Sequence, residues 1–199
     1  ARNYRKTKRS TFKKIVKKIF FFSENLNKIN EIKILFKKNK IELLDLKNFY
    51  NINIPEETGK TFEENARIKS YYGFKNSNYP CFADDSGLCI NSLNDFPGIK
   101  SKRFIEKNKD IKKALASIIS KTKKTNSSEA YFQTSICLTL EENKSIFFNG
   151  IVKGNIADSP RGLSGFGYDP IFIPKGFKKT FGEMSIDEKN KISHRAIAT

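Results

Sequence analysis

The stretch from Gly162 to Arg195, GLSGFGYDPIFIPKGFKKTFGEMSIDEKNKISHR, constrains this chain most. It opens with Gly162, Gly165 and Gly167 set around Phe166. Without side chains in the way, such a backbone can approach a neighbour closely. Asp169-Pro170 leads into the apolar run Ile171-Phe172-Ile173, which reads as a strand, and a charged helical segment follows, ending in Ser193-His194-Arg195. His194 is the chain's only histidine. An aromatic ring, a carboxylate, lysines, a histidine and an arginine thus fall within about one supersecondary unit. Residue types alone fit a turn, a strand and a solvated helix at least as well as a binding site.

The rest of the chain alternates strand and helix signals. Lys18 to Phe22 (KIFFF) reads as a buried strand and Ser23 to Lys28 as a polar loop. Ile29, Ile32, Leu35 and Phe36 then recur at helical spacing, with the helix expected to reach Asn39. This order leaves backbone N–H groups free at a helix start, which favours anions, and Lys28 adds charge there. An ordinary capped helix has the same pattern. Ile41 to Leu46 is a second strand and Pro55 to Gly59 a turn. Gly59-Lys60-Thr61 looks like the end of a P-loop, but Ile54 stands where its first glycine is required. Thr61 reads instead as an N-cap, with Glu64 completing a capping box. In the helix that follows, Phe62, Asn65, Ala66 and Lys69 share one face.

Pro80 to Leu88 (PCFADDSGL) reads as a short apolar strand ending in two acids and a turn. Ligands of open α/β sheets sit beyond the carboxyl ends of strands. Adjacent strand residues face opposite ways, so one of Asp84 and Asp85 enters a cleft and the other does not. Acids before a glycine are also ordinary turn residues. Asp110 to Ser120 has helical spacing, and Ala130 to Leu140 and Ser145 to Val152 read as antiparallel strands joined through Glu142-Asn143-Lys144. Gly154 to Ala157 extends the sheet.

At 199 residues, with 38% hydrophobic content and 18 Phe, the chain suits one domain with a sizeable core or two small lobes. No apolar run approaches the ~20 residues of a membrane span. Cys81, Cys89 and Cys137 form no metal-type pair and are odd in number, which argues for a reducing compartment. A single histidine excludes a His-rich zinc site. The net charge of +17 concentrates in residues 1–18, which hold nine Lys or Arg and no acid. We expect residues 1–17 to be a disordered basic extension and 18–199 the folded domain. A nucleic-acid or membrane-surface tail, or a targeting segment, is the rival reading of the arm.

FGYDPIF, TFGEM and EKNKISHR, in that order, closely resemble the inosine triphosphatase family, the pyrophosphatases of non-standard purine nucleoside triphosphates. Ser23-x-Asn25-x-x-Lys28 matches that family's [ST]-x-N-x-x-K substrate loop. ETG-x-TF-x-ENA-x-x-K, ADDSGL and PG-x-x-S-x-R, the last over Pro97 to Arg103, match further motifs. The resemblance covers about residues 18 to 198. Glu24 departs from it by placing an acid in the substrate loop, and Asn94-Asp95-Phe96 departs by replacing a glycine-containing approach. Family members continue along a C-terminal helix, whereas Thr199 follows Arg195 by only four residues, so the resemblance implies a short or truncated member.

The resemblance implies an α/β, two-lobed fold with a long mixed twisted sheet flanked by helices and the active site in the cleft between lobes. It implies a cytoplasmic homodimer that hydrolyses ITP, dITP or XTP to the monophosphate and pyrophosphate with Mg²⁺ as cofactor. Asp85 is then the general base and, with Glu56, the metal ligand. Ser23, Glu24, Asn25, Lys28, Lys69 and Lys189 surround the triphosphate, and Leu26, Asn27 and Ser86 also bind the substrate. Phe166 stacks on the purine, and Gly167, Tyr168, Asp169, His194 and Arg195 read the base. Ser193 is expected to cap a new short helix that carries His194 and Arg195, leaving Lys189 free for phosphate. The alternatives are a related-fold pyrophosphatase for other modified nucleotides and a nucleic-acid-binding protein using the basic arm. Neither nucleic acid nor membrane is an expected partner.

Overall fold

A single mixed sheet carries the site. The structure, a computed structural model, describes residues 17–37 and 41–199. Its strands are β1 (Lys18–Phe21), β2 (Glu42–Leu44), β3 (Cys81–Ile90), β4 (Phe96–Pro97), β5 (Glu129–Glu141), β6 (Lys144–Ile156) and β7 (Phe172–Pro174). The helices are α1 (Leu26–Phe36), α2 (Phe62–Ser77), α3 (Ser101–Asn108), α4 (Ile111–Lys123), α5 (Ile186–Asn190) and α6 (His194–Ala198). The strand order is β2-β1-β3-β5-β6-β7, and β4 pairs with the end of β3. β1 runs parallel to β2 and β3, while all other pairs are antiparallel. The architecture is the expected α/β arrangement of a mixed sheet flanked by helices. Residues 1–16 of the basic arm and the expected helix end at Asn39 lie outside the described residues.

The Phe excess goes into the core. Phe20, Phe21 and Phe22 of the KIFFF run are fully buried, as are Phe172 and Phe181 far along the chain. Each buried Phe contributes about 1.5–3 kcal/mol. One end of the sheet buries Phe20, Phe22, Leu44 and Cys81 on one face and Phe21, Ile29, Ile32 and Phe82 on the other. The other end buries Leu88, Ile90, Leu115, Ile118, Phe132, Phe172 and Phe181. The long strands β3, β5 and β6 run through both ends. No described helix is long and apolar enough to cross a membrane.

β3 departs from expectation in a way that builds the site. It does not stop at the two acids but continues through Asp84, Asp85 and Gly87 to Ile90. The cause is non-local: β5 pairs with it residue by residue, from Cys81↔Thr139 to Ile90↔Ala130. Gly87 permits this, since a Cβ there would lie 2.3 Å from the Gly98 carbonyl oxygen and 2.6 Å from Ser101 Oγ. On the opposite edge, β1 pairs with Cys81 and Phe82 and β4 with Cys89 and Ile90. Between these two partners the middle of β3 borders an opening rather than a strand.

Candidate active site

A cavity of about 500 Å³ occupies that opening. The loop before α1 gives it Ser23, Glu24, Asn25, Asn27 and Lys28; α2 and its approach give Lys69 and Glu57; β3 gives Asp85 and Ser86. Lys102 and Arg103 come from α3, Phe166 to Asp169 from the glycine loop, and Lys189, His194 and Arg195 from α5 and α6. Two expected residues are not in its wall. Leu26 is 60% exposed, the first residue of α1 and turned away from the cavity. Glu56 is exposed while Glu57 lines the cavity, because exposure alternates along the approach to α2. Glu57 thus joins Asp85 in the cavity wall, beside Lys69.

Helix capping prepares two walls. Asn25 caps α1, its Oδ1 accepting from the N–H groups of Asn27 (3.0 Å) and Lys28 (3.2 Å), and Ser23 Oγ accepts from Asn25 N–H (3.2 Å). Two of the N–H groups that the sequence suggested for an anion are thus already held by the cap. Thr61 caps α2 by accepting from Glu64 N–H (3.1 Å), while Glu64 accepts from Lys60 N–H rather than from its own cap residue. The α2 face then presents Asn65 and Lys69. Asn65 Nδ2 donates to Asp85 Oδ2 (3.0 Å), and Asn65 Oδ1 accepts from Gly59 N–H (2.8 Å). Lys69 Nζ lies 2.6 Å from Glu57 Oε1 and 3.9 Å from Asp85 Oδ1. Burial pushes the Asp85 carboxyl up; Lys69 and Lys28 pull it back, and Glu57 adds to the rise.

Strand alternation sends Asp84 to the other face, into a buried ionic network. Its Oδ2 faces Lys28 Nζ at 2.9 Å and accepts from Arg195 Nη2 at 3.1 Å and from Ser86 Oγ at 3.2 Å. Burial alone would raise this carboxyl, but Lys28, Arg195 and Lys69 outweigh it and hold it well below the usual range. Glu31 extends the network by accepting from Lys189 Nζ (2.7 Å) and from Arg195 Nη1. Lys189 Nζ also donates to Asp169 Oδ2 (2.6 Å). Asp84 is therefore the hub of a buried charge network. Lys189 and Arg195 are not free donors: both are buried against carboxylates, at 3% and 1% exposure.

The glycine loop sits on this network. Asp169 Oδ2 accepts from Phe166 N–H (2.8 Å), which fixes the aromatic ring over Lys189 Nζ (4.7 Å to the centroid) and near Arg195 (5.9 Å). Tyr168 donates its hydroxyl to the Ser101 carbonyl (2.9 Å), tying the loop to α3. Ser193 caps α6 by accepting from Ala196 N–H (3.1 Å), so a helix does restart between Lys189 and His194, as the sequence suggested. His194 stacks on Phe132 at 4.7 Å, and its buried Nδ1 has no partner among the described residues. Burial, then Arg195 and Lys189, hold its pKa well below 6.5, so it stays neutral.

Gly165 has φ +75°, and a Cβ there would lie 2.2 Å from Asp169 Oδ2. Gly176 has φ +88° with open space around it. Gly176→Ala should cost about 1–2 kcal/mol for its left-handed backbone alone. Gly165→Ala should cost more, because it also displaces a buried carboxylate. Denaturation midpoints of the two variants check this; the reverse order would show that the Asp169 contact does not hold the loop.

Sequence reasoning missed Glu31 and the cavity position of Glu57. Glu31 carried one signal: it is a carboxylate beside Ile32 on the buried side of α1, three residues after Lys28.

Metal fit can be judged from the donor set. Among the described residues no three His, Cys, Asp or Glu side chains form a metal cage. Mg²⁺ needs less, taking one or two carboxylates and completing its shell with water and phosphate oxygens. Asp85 and Glu57 flank Lys69 on one wall and are close enough for Glu57 to raise the Asp85 carboxyl. That pair of hard oxygen donors fits Mg²⁺.

Comparison with known proteins identifies relatives of the sequence and of the fold. A sequence model of the Ham1 family matches residues 19–199. The dITP/XTP pyrophosphatase of Christiangramia forsetii is 44% identical over 181 residues, spanning 91% of this chain and 94% of the relative. That of Bacillus anthracis is 37% identical over 187 residues, spanning 92% and 93%. A HAM1 protein from Coxiella burnetii superposes with a TM-score of 0.84 at 36% identity, covering 92% of this chain and 94% of the other. The Ham1 protein of Staphylococcus aureus superposes with a TM-score of 0.81 at 37% identity, with the same coverage.

Proposed function

The chain belongs to the Ham1 family, and from that premise we propose that it hydrolyses non-standard purine nucleoside triphosphates, such as dITP, XTP and ITP, to the monophosphate and pyrophosphate. The observation that carries this reading is Asp85, held by Asn65 on the wall of a cavity that also presents Lys28, Lys69 and the Phe166 ring. The neighbouring names point the same way, since relatives at 44% and 37% identity are dITP/XTP pyrophosphatases. The nucleic-acid reading rests on an arm outside the described residues, and these relatives do not favour it.

The residues divide the work. Asp85 takes the proton of the attacking water, and Asn65 fixes which carboxylate oxygen is left to do so. Lys28 and Lys69 lie where negative charge builds on the phosphates. Mg²⁺, held by Asp85 and Glu57, would neutralise phosphate charge and lower the pKa of bound water. Phe166 offers one face to the purine, with Lys189 and Arg195 behind it. Neutral His194 and the backbone of Gly167 and Tyr168 read the base edge. Donors placed for a 6-keto oxygen would meet the amino group of adenine instead, and such mispairing discriminates strongly. Arg195 and Lys189 act here through position, because their donors are already taken by Glu31, Asp84 and Asp169.

The proposal includes a homodimer. β7 covers β6 only at Gly154 to Ile156, which leaves Ile146, Phe147, Phe148 and Ile151 exposed along an open edge. Open apolar edges favour pairing with another chain, and a monomeric mass at working concentration by light scattering would overturn this part. The three free, buried cysteines suit a reducing compartment such as the cytoplasm.

The test is the first product. With Mg²⁺ present, dITP and XTP should release pyrophosphate, and the rate should collapse when the cation is chelated. Orthophosphate as the first product would overturn the reaction type.

A further inference from the structure

We propose that Arg103, on α3, is a phosphate-binding residue that receives the phosphate chain of the substrate. This deepens the proposed function and rests on it for the identity of the nucleotide, though not for the anion site itself.

Every buried cation of the cavity already faces carboxylate: Lys28 meets Asp84 (2.9 Å), Lys69 meets Glu57 (2.6 Å), Lys189 meets Glu31 (2.7 Å) and Asp169 (2.6 Å), and Arg195 meets Glu31 and Asp84. A triphosphate brings about four negative charges, and Mg²⁺ offsets two of them. The remainder must either pull buried cations off their carboxylates or find cations not yet engaged. Stripping a buried pair leaves a charge uncompensated, which is the costly outcome.

Arg103 is the alternative. It lines the cavity, is exposed, and has no hydrogen bond or ion pair with any described residue. Its neighbour Lys102 also lines the cavity, but it is shared with Glu106 at 3.8 Å. Lys102 is close enough to Glu57 to lower that carboxyl, after burial and then Lys69 and Lys28 have set it. The start of α3 therefore borders the cavity between the Glu57 side and the glycine loop, to which the Tyr168–Ser101 hydrogen bond ties it. α3 is fixed at its first turn: Ser101 Oγ donates to the Gly98 carbonyl (2.7 Å) and accepts from Leu88 N–H (3.0 Å), and the Ser101 carbonyl accepts from Tyr168. The helix start is therefore anchored to β3 and to the glycine loop, while the Arg103 side chain remains available. A guanidinium offers two parallel donors to phosphate oxygens, a geometry an ammonium lacks.

The probe is inorganic tripolyphosphate, which carries no base. Arg103→Gln should weaken its Kd by about 10-fold, the scale of a lost charge-assisted hydrogen bond. It should raise KM for dITP and XTP by a similar common factor and leave kcat nearly unchanged. Lys107→Gln removes the same charge from the same helix outside the cavity wall, and should change neither. An unchanged tripolyphosphate Kd in Arg103→Gln, or an equal loss in Lys107→Gln, would overturn the proposal. Failure of the proposed function would appear separately, as a parent chain that binds tripolyphosphate but turns over neither dITP nor XTP.

Discussion

Asp85→Asn should lower kcat for dITP by about 10²-fold or more, the scale of a lost general base, while the melting temperature stays level or rises. An amide oxygen at this position can still accept from Asn65 Nδ2, which now donates to Asp85 Oδ2 at 3.0 Å. The stability part follows from the sign of the shift. Burial raises the Asp85 carboxyl above its ordinary 3.8, so the folded state disfavours ionisation. Ionised Asp85 therefore costs stability as pH rises above that value, and a neutral amide removes the cost. Activity gained at the expense of stability is common at catalytic groups. Steady-state kinetics and thermal melts of one variant check both halves. Retained turnover would show that another group takes the proton.

Asp84→Asn should do the opposite, and mainly to the fold. It removes the carboxylate between Lys28 and Arg195 and leaves two buried cations short of a partner. Breaking a buried pair costs about 3–5 kcal/mol, which for a chain of this size lowers the melting temperature by roughly 10 °C. The pH dependence has a definite sign. The folded-state pKa of Asp84 is depressed, so its contribution is present above the ordinary 3.8 and lost as pH falls below it, when the unfolded chain takes up a proton first. Stability of the parent chain should therefore drop below about pH 4, and that drop should be shallower in Asp84→Asn. A variant that melts with the parent at neutral pH would show that Lys28 and Arg195 do not depend on this carboxylate.

Much of the fold was legible where the signals are local. The KIFFF strand, the Thr61 cap, the β5–β6 hairpin and the helix restart at Ser193 all follow from a few adjacent residues, and all are present. Non-local pairing was harder to see. Ala83-Asp84-Asp85-Ser86-Gly87 reads as a strand end, yet β5, more than forty residues on, carries it through as the middle of a ten-residue strand. Glu31 was invisible as a site residue because its partners, Lys189 and Arg195, lie 158 and 164 residues away in sequence. The same distance hid the engagement of Lys189 and Arg195, so motif spelling suggested free donors where the fold built ion pairs. Glu56 and Glu57 are adjacent and alike, and only the path of the chain between Pro55 and Thr61 selects Glu57 for the cavity. Motifs thus located the site, while the wiring among its charges needed tertiary structure.

One competition measurement bears most directly on the central claim. Purified protein is incubated with equimolar dITP and dATP in Mg²⁺ buffer, and the nucleotides are separated over time. The account predicts that dIMP and pyrophosphate accumulate while dATP persists. Consumption of both substrates at the same rate would contradict it.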